Sequence, residues 1–148
     1  MAGYSARPLI GKLGMKEGAR VRLIGAPRGF GEELGPLPAG ARLLSDRSRN
    51  VDFIMLFAGR AADLRRIGST AASLQPAGML WLAWPKKASG VITDVTESLV
   101  RAAGLAAGLV DIKVCAVNEV WSGLKFVWPL KDRQAIASRG GGGHRRAR

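Results

Sequence analysis

Histidine and cysteine are nearly absent from this sequence, which contains one of each among 148 residues. His144 lies in a terminal run of glycine and arginine, so Ser-His-Asp, Cys-His and His-ligated metal chemistry have no histidine within the fold. Cys115 stands alone, which excludes an internal disulfide and a cysteine-cluster metal site. Its apolar neighbours predict a place in the core. No metal site is predicted.

Long apolar runs are missing as well. The uninterrupted run Met79–Trp84 is far shorter than the ~18 residues of a membrane span, and the first residues do not resemble a secretion signal. The composition, 47% hydrophobic, suits a folded globule, and 148 residues suit one domain. These features predict a soluble, cytoplasmic protein without a membrane span.

Acidic residues are scarce relative to basic ones. Eleven Asp and Glu stand against 23 Lys and Arg, which gives a formal net charge of +12. Such a surplus attracts anionic partners such as phosphates and nucleic acid, although charge alone does not choose among them. The alternative is that the charge only keeps the protein soluble.

Two segments read as strands that are buried on both faces. Val51–Phe57 and Met79–Trp84 are almost continuously apolar, which is typical of parallel strands covered by helices on either side. Between them, Ala61–Leu74 carries an apolar stripe at helical spacing and is long enough for a right-handed crossover. We therefore expect these two strands to be adjacent, parallel and central.

The remaining segments complete a predicted α/β order. Asp94 is expected to cap a helix with Glu97, and Leu99 should lie on the inner face of that helix. The other expected elements are a helical turn at Pro8–Leu13, a strand at Ala19–Ile24, a short helix at Phe30–Leu34, a short strand at Ala41–Leu44, and an antiparallel pair formed by Ile112–Val117 and Leu124–Trp128.

The predicted fold class is therefore a small three-layer Rossmann-like α/β sheet, mostly parallel, with a C-terminal antiparallel strand pair. Residues 1–132 form the single domain, and residues 133–148 are expected to be a disordered basic tail.

The main candidate site follows the strand Met79–Trp84. Lys86 and Lys87, then Ser89 and Gly90, supply cations, a hydroxyl and an amide of the kind that binds phosphate or carboxylate. Ligands of open α/β sheets bind at the carboxyl ends of the strands, where loops carrying Arg28 and Arg60 should meet this one in a shared basic pocket. The alternative is a solvated loop that ends the strand.

Weaker candidates lie elsewhere. Asp94, Glu119 and Trp121 are possible additional site residues, and the Trp121 ring is expected either to stack on a ligand or to cover the hairpin base. A loose dinucleotide pattern is formed by Gly25, Gly29 and Gly31 with Asp46. The tail residues that would hold nucleic acid non-specifically, if the tail is not simply passive, are Arg139, Arg145, Arg146 and Arg148.

Two resemblances add to this interpretation. From Val51 to Trp128, the element order resembles the second half of the Rossmann-like methyltransferase fold, whose members carry a glycine signature after their first strand; here that loop is residues 25–31, with Pro27 and Arg28 among its glycines. The resemblance implies S-adenosylmethionine as a cofactor.

The second resemblance covers residues 1 to about 132. The motifs are Ala2-Gly3-Tyr4-Ser5, Trp84-Pro85-Lys86-Lys87-Ala88-Ser89-Gly90, Lys113-Val114-Cys115-Ala116-Val117 and Trp121-Ser122-Gly123-Leu124-Lys125. They are similar to those of a bacterial family of short proteins known only as a domain of unknown function. That likeness implies a Rossmann-like domain without an established activity.

Three function classes remain open at this point. The preferred one is a non-catalytic domain that binds an anionic ligand: a nucleotide, another phosphate-bearing molecule or nucleic acid. The alternatives are a minimal methyltransferase-like enzyme, with S-adenosylmethionine, and a protein–protein interaction domain. No catalytic residue, resident cofactor or oligomeric state is predicted from the residues themselves.

Overall fold

The structure is a computed structural model in which residues 8–45 and 47–138 are described. Six strands form one sheet: β1 (Arg20–Ile24), β2 (Arg42–Leu43), β3 (Val51–Phe57), β4 (Leu74–Pro85), β5 (Val110–Ala116) and β6 (Trp121–Val127). The helices are α1 (Leu9–Leu13), α2 (Phe30–Leu34), α3 (Ile67–Ala72) and α4 (Glu97–Ala106), with 3-10 turns at Ala61–Arg66, Lys87–Ser89 and Leu130–Asp132.

The strand order across the sheet is β2-β1-β3-β4-β6-β5. The first four strands in this order are parallel, whereas β6 runs antiparallel to both β4 and β5. The predicted central position and parallel pairing of β3 and β4 are confirmed, and so is the antiparallel terminal pair. The protein is thus a mostly parallel α/β sheet with an antiparallel C-terminal strand pair.

Apolar side chains cover both faces of this sheet. The first face, covered by α3 and α4, holds Ile54, Leu56 and Leu82 in its core. The second face, covered by α1 and α2, holds Phe53 and Met55. Because neighbouring residues of a strand point to opposite faces, the unbroken apolar sequence of β3 follows directly from this double burial.

Trp81 fixes the helix α1 to the second face. The indole is fully buried and its Nε1 donates to the carbonyl of Leu13 at 2.8 Å, in the last turn of α1. Gly14 then ends the helix with φ at 82°, in the left-handed region that glycine tolerates. The burial of Trp81 and Trp84 agrees with the prediction that Met79–Trp84 is covered on both faces.

The start of α4 differs from the prediction. Thr96, not Asp94, is the N-cap, and its hydroxyl oxygen accepts from the amide of Leu99 at 3.2 Å. The helix begins two residues later than a cap at Asp94 would place it. Its buried residues are Val100 and Gly104, whereas Leu99, predicted to lie on the inner face, is 44% exposed. Glu97 pairs with Arg101 at 2.8 Å, one turn along the helix, and does not complete a capping box.

Other boundaries also shift. The predicted crossover helix is a 3-10 segment followed by α3, and β4 already begins at Leu74. Residues 133–138 are helical and Ile136 packs against the first-face core, so the folded part of the chain continues beyond the predicted boundary at 132. Cys115 is only half-buried because it lies on the edge strand β5.

In the part of the chain that the structure describes, no helix has the length and apolar character needed to cross a bilayer. The same residues contain no cluster of histidine, cysteine and carboxylate side chains that would hold a metal ion.

Two helical glycines give a matched test of the packing. A Cβ on Gly104 in α4 would overlap the ring of Phe126, whereas a Cβ on Gly68 in α3 would have no neighbour within 4 Å. Gly104→Ala should lower the free energy of unfolding by about 1–3 kcal/mol through overpacking. Gly68→Ala should raise it by about 0.5–1 kcal/mol. Urea denaturation measures both, and a stable Gly104→Ala variant would contradict the packing of α4 on β6.

Candidate functional site

The strand order places a topological switch point between β1 and β3. From β1 the chain continues to β2 on one side of β1, whereas from β3 it continues to β4 on the side of β3 away from β1. Connections that diverge in this way separate the loops at the carboxyl ends of the two strands, and such a point is where open α/β sheets bind ligands. We call the space between the loop at residues 25–29 and the loop at residues 58–60 the switch-point crevice.

Small residues border this crevice. Gly25 follows β1 directly with φ at 72°, and a Cβ on it would lie 3.2 Å from the carbonyl oxygen of Phe57 at the end of β3. Gly29, with φ at 86°, leads into α2. Gly59 faces open space, since a Cβ there would meet nothing within 4 Å. The side-chain position of Gly59 is therefore open to a ligand, whereas that of Gly25 is closed by the end of β3.

Three aromatic rings form a connected layer next to the crevice. Phe30 and Phe57 meet edge to face at 4.9 Å between ring centroids, and Phe57 and Trp121 meet in the same way at 5.1 Å. Both phenylalanines are buried, whereas Trp121 is half-buried at the start of β6. The Trp121 ring thus covers Phe57, and part of its surface stays open to solvent.

Carboxylates accept hydrogen bonds from the backbone amides of the loop that follows β3. Asp63 accepts from the amides of Gly59 and Arg60 at 3.1 and 3.0 Å, and Asp94 accepts from the amide of Ala61 at 2.7 Å. These three donors would otherwise be the natural partners of a bound phosphate. Asp94 is therefore an anchor of this loop and not the helix cap predicted from the sequence.

The segment that follows β4 is similarly committed to internal bonds. The hydroxyl of Ser89 donates to the carbonyl of Lys86 at 2.6 Å, and the amides of Ser89 and Gly90 donate to the carbonyls of Lys86 and Lys87. The donors predicted to hold an anion are thus used within a 3-10 turn. Lys86 is half-buried and Lys87 is exposed.

The sequence-predicted residues do share one edge of the sheet. The loops with Arg28, Arg60 and the lysine pair all follow parallel strands, and both arginines are exposed. Glu119 is exposed in the turn between β5 and β6. Arg139, Arg145, Arg146 and Arg148, as well as Asp46, lie outside the described residues. Since Asp63 and Asp94 stand at the same edge, its charge is mixed and not uniformly basic.

Sequence reasoning overlooked Gly59, and it considered Thr93 only as a substrate contact or a helix-capping residue. The Thr93 hydroxyl donates to the carbonyl of Gly59 at 2.7 Å, which joins the segment after β4 to the loop after β3. A signal for Gly59 was available, because a glycine stands within two residues of the end of both β1 and β3. No local pattern indicated the partner of Thr93, which is 34 residues away.

A cavity of about 230 Å³ lies at the opposite, amino-terminal edge of the sheet. Its lining includes Asp52 and Gln75, but these groups are already bonded: the Asp52 carboxylate accepts from the amide of Arg20 at 2.8 Å and from the side chain of Gln75 at 2.7 Å. Asp52 and Gln75 therefore already bond to other groups of the protein.

Comparison with solved structures places the fold. A SAM-dependent methyltransferase from Aquifex aeolicus matches with a TM-score of 0.57 and 16% identity, over 80% of this chain and 86% of the other. A TehB-like SAM-dependent methyltransferase from Corynebacterium glutamicum gives 0.52 and 11%, over 86% and 91%. The tRNA methyltransferase TrmK from B. subtilis gives 0.52 and 11%, over 87% and 68%. At these identities the likeness concerns the fold alone.

No protein-family model matches the sequence, and a search of curated proteins finds no relative. The predicted membership of a domain-of-unknown-function family therefore stays a prediction.

The bond between Thr93 and Gly59 can be tested directly. Thr93→Val keeps the size of the side chain but removes the hydroxyl, so the free energy of unfolding should fall by about 1 kcal/mol. Amide hydrogen exchange of residues 59–61 should accelerate, because this loop loses its link to the neighbouring segment. Ser98→Ala, on the exposed side of α4, should stay within about 0.5 kcal/mol of the parent protein. Unchanged exchange at 59–61 would contradict the anchoring role.

Proposed function

We propose that this protein binds S-adenosylmethionine in the switch-point crevice and acts as a small methyltransferase. The observation that carries the proposal is the pair of glycine-containing loops at the switch point, where the side-chain position of Gly59 is open space. The resemblance to solved SAM-dependent methyltransferases supports it at the level of the fold.

The polar groups of the crevice suit a ligand without phosphate. The amides of Gly59, Arg60 and Ala61 are already bonded to carboxylates, so these three backbone donors are not free for a phosphate group. S-adenosylmethionine has no phosphate, and its sulfonium and ammonium groups are cations. The nearby carboxylates of Asp63 and Asp94 would favour those cations and disfavour a polyphosphate.

The residues have distinct parts in this proposal. The backbone of residues 25–29 and the open side of Gly59 would hold the cofactor, and the Trp121 ring would limit its access to water. When bound, S-adenosylmethionine supplies an activated methyl group. Positioning two reactants at bonding distance is itself a large part of such catalysis, so the reaction does not depend on a histidine at the site.

A second candidate, a domain that binds phosphate-bearing anions, rests on the four exposed or half-buried cations Arg28, Arg60, Lys86 and Lys87 at the same edge. A nucleotide could contact their side chains without backbone donors. The two candidates predict different ligand preferences.

Thermal unfolding with a panel of ligands separates them. S-adenosylmethionine and S-adenosylhomocysteine should each raise the melting temperature, with a stabilisation of about 2.7 kcal/mol at a concentration 100 times Kd. ATP and inorganic phosphate should have little effect. Stabilisation by ATP or phosphate, and none by S-adenosylmethionine, would reject the methyltransferase proposal in favour of the anion-binding domain.

A blocking variant tests the position of the site. Gly59 has ordinary backbone angles and open surroundings, so Gly59→Leu should fold normally and fill the crevice. We expect it to weaken S-adenosylmethionine binding at least about tenfold, which corresponds to about 1.4 kcal/mol. The matched control is Gly68→Leu on α3, where the added side chain also meets no neighbour. Isothermal titration calorimetry measures both, and equal affinities for the two variants would place the ligand elsewhere.

A further inference from the structure

A second group of basic side chains lies outside the switch-point crevice, on the second face of the sheet. Lys113 on β5 and Lys125 on β6 are direct cross-strand partners, and Lys125 also pairs with Trp81 on β4. Directly paired residues share a face of the sheet, and Trp81 belongs to the second-face core. The two ammonium groups therefore extend from the same side of the β5–β6 pair.

Helix α1 is held next to these lysines. Trp81 donates to the carbonyl of Leu13, which places the end of α1 beside β6. A Cβ on Gly14, the residue that ends α1, would lie 3.8 Å from Nζ of Lys125. The positive end group of Lys125 thus sits against the turn that follows the helix.

Two more lysines come from α1 and this turn. Lys12 lies in the last turn of α1. Burial raises the pKa of the Cys115 thiol on β5, and the charge of Lys12 opposes that rise. The charge of Lys16 contributes, after burial, to the lowered pKa of Lys125. Four cations therefore lie close together where the end of α1 approaches β5 and β6. The four residues, named here the lysine face, are Lys12, Lys16, Lys113 and Lys125.

In the described part of the chain, no carboxylate forms an ion pair with a residue of the lysine face. Within the described ranges, ion pairs are formed only by Arg101, with Glu97 and Asp111. Partial burial, followed by the charges of Lys113 and Lys16, lowers the pKa of Lys125. Like charges placed directly opposite each other on a sheet destabilise it. The protein thus maintains an arrangement that costs stability in isolation and that an external polyanion would relieve.

We propose that the lysine face binds the phosphate backbone of double-stranded nucleic acid. Cations spread over α1, β5 and β6 complement a regular series of negative charges better than a single small anion, and each contact would release condensed counterions. The exposed large apolar side chains of the described residues are all aliphatic, so the face offers no fully exposed ring for stacking on single-stranded bases. Binding should therefore favour a duplex and depend little on its sequence.

Fluorescence anisotropy with a labelled DNA duplex of about 20 base pairs, titrated between about 50 and 200 mM salt, tests the proposal on the full chain. The variant is Lys113→Gln with Lys125→Gln. If both lysines contact phosphates, the slope of log K against log salt should become shallower by about 1.8, and affinity at the lowest salt should fall at least about fivefold. The melting temperature should not fall, because the substitution removes like-charge repulsion.

The control variant, Arg65→Gln with Arg66→Gln, removes the same total charge from exposed positions in the 3-10 segment Ala61–Arg66. It should keep the parental salt slope. Should the double lysine variant prove unstable, Lys113→Gln alone, at an exposed position, should still reduce the slope by about 0.9.

Three results would overturn the proposal. The first is an equal loss of affinity in the arginine control, which would indicate only the effect of net charge. The second is tighter binding of a single strand of the same length than of the duplex. The third is lysine-dependent binding to phosphatidylserine vesicles together with no lysine-dependent binding to the duplex, which would make the face a membrane contact.

Discussion

The parallel pairing of β3 with β1 on one side and with β4 on the other is the interaction on which the rest of the structure depends. It buries Val51–Phe57 on both faces, so helices must cover the sheet above and below. It also directs the carboxyl ends of three strands to one edge. Both the core and the candidate site therefore originate from the same hydrogen-bonded ladder.

The backbone and the carboxylates at that edge determine which ligands it favours. The close approach of Gly25 to the carbonyl of Phe57, together with its φ of 72°, favours a residue without a side chain. Asp63 and Asp94 occupy the neighbouring amides. A phosphate would have to displace these carboxylates, whereas a cationic, phosphate-free ligand would gain from them. The charge of the loops thus favours the proposed cofactor over a nucleotide.

The positive charge of this protein is distributed unevenly with respect to the sheet. At the carboxyl edge, basic side chains share the surface with the carboxylates of Asp63 and Asp94. In the lysine face, the neighbouring charges of Lys113 and Lys16 add to burial in lowering the pKa of Lys125. The two regions therefore suit different partners: a small ligand at the edge, and an extended polyanion on the face. A net charge of +12 does not reveal this division, because it depends on which cations are neighbours in space.

The sequence by itself determined the fold class, the two central strands and the antiparallel end of the sheet, because unbroken apolar runs have few other places in a soluble protein. It also predicted that Arg28, Arg60 and Lys86 lie at one edge, since the loops that follow parallel strands lie at the same edge of a sheet. Only the tertiary structure decided the strand order, and with it the switch-point crevice, because pairing partners are set by packing between distant segments. The same holds for Asp94, whose acceptor role at Ala61 spans 33 residues, and for the meeting of Lys113 with Lys125 across two strands. Local patterns report propensity and period, and neither quantity contains such long-range contacts.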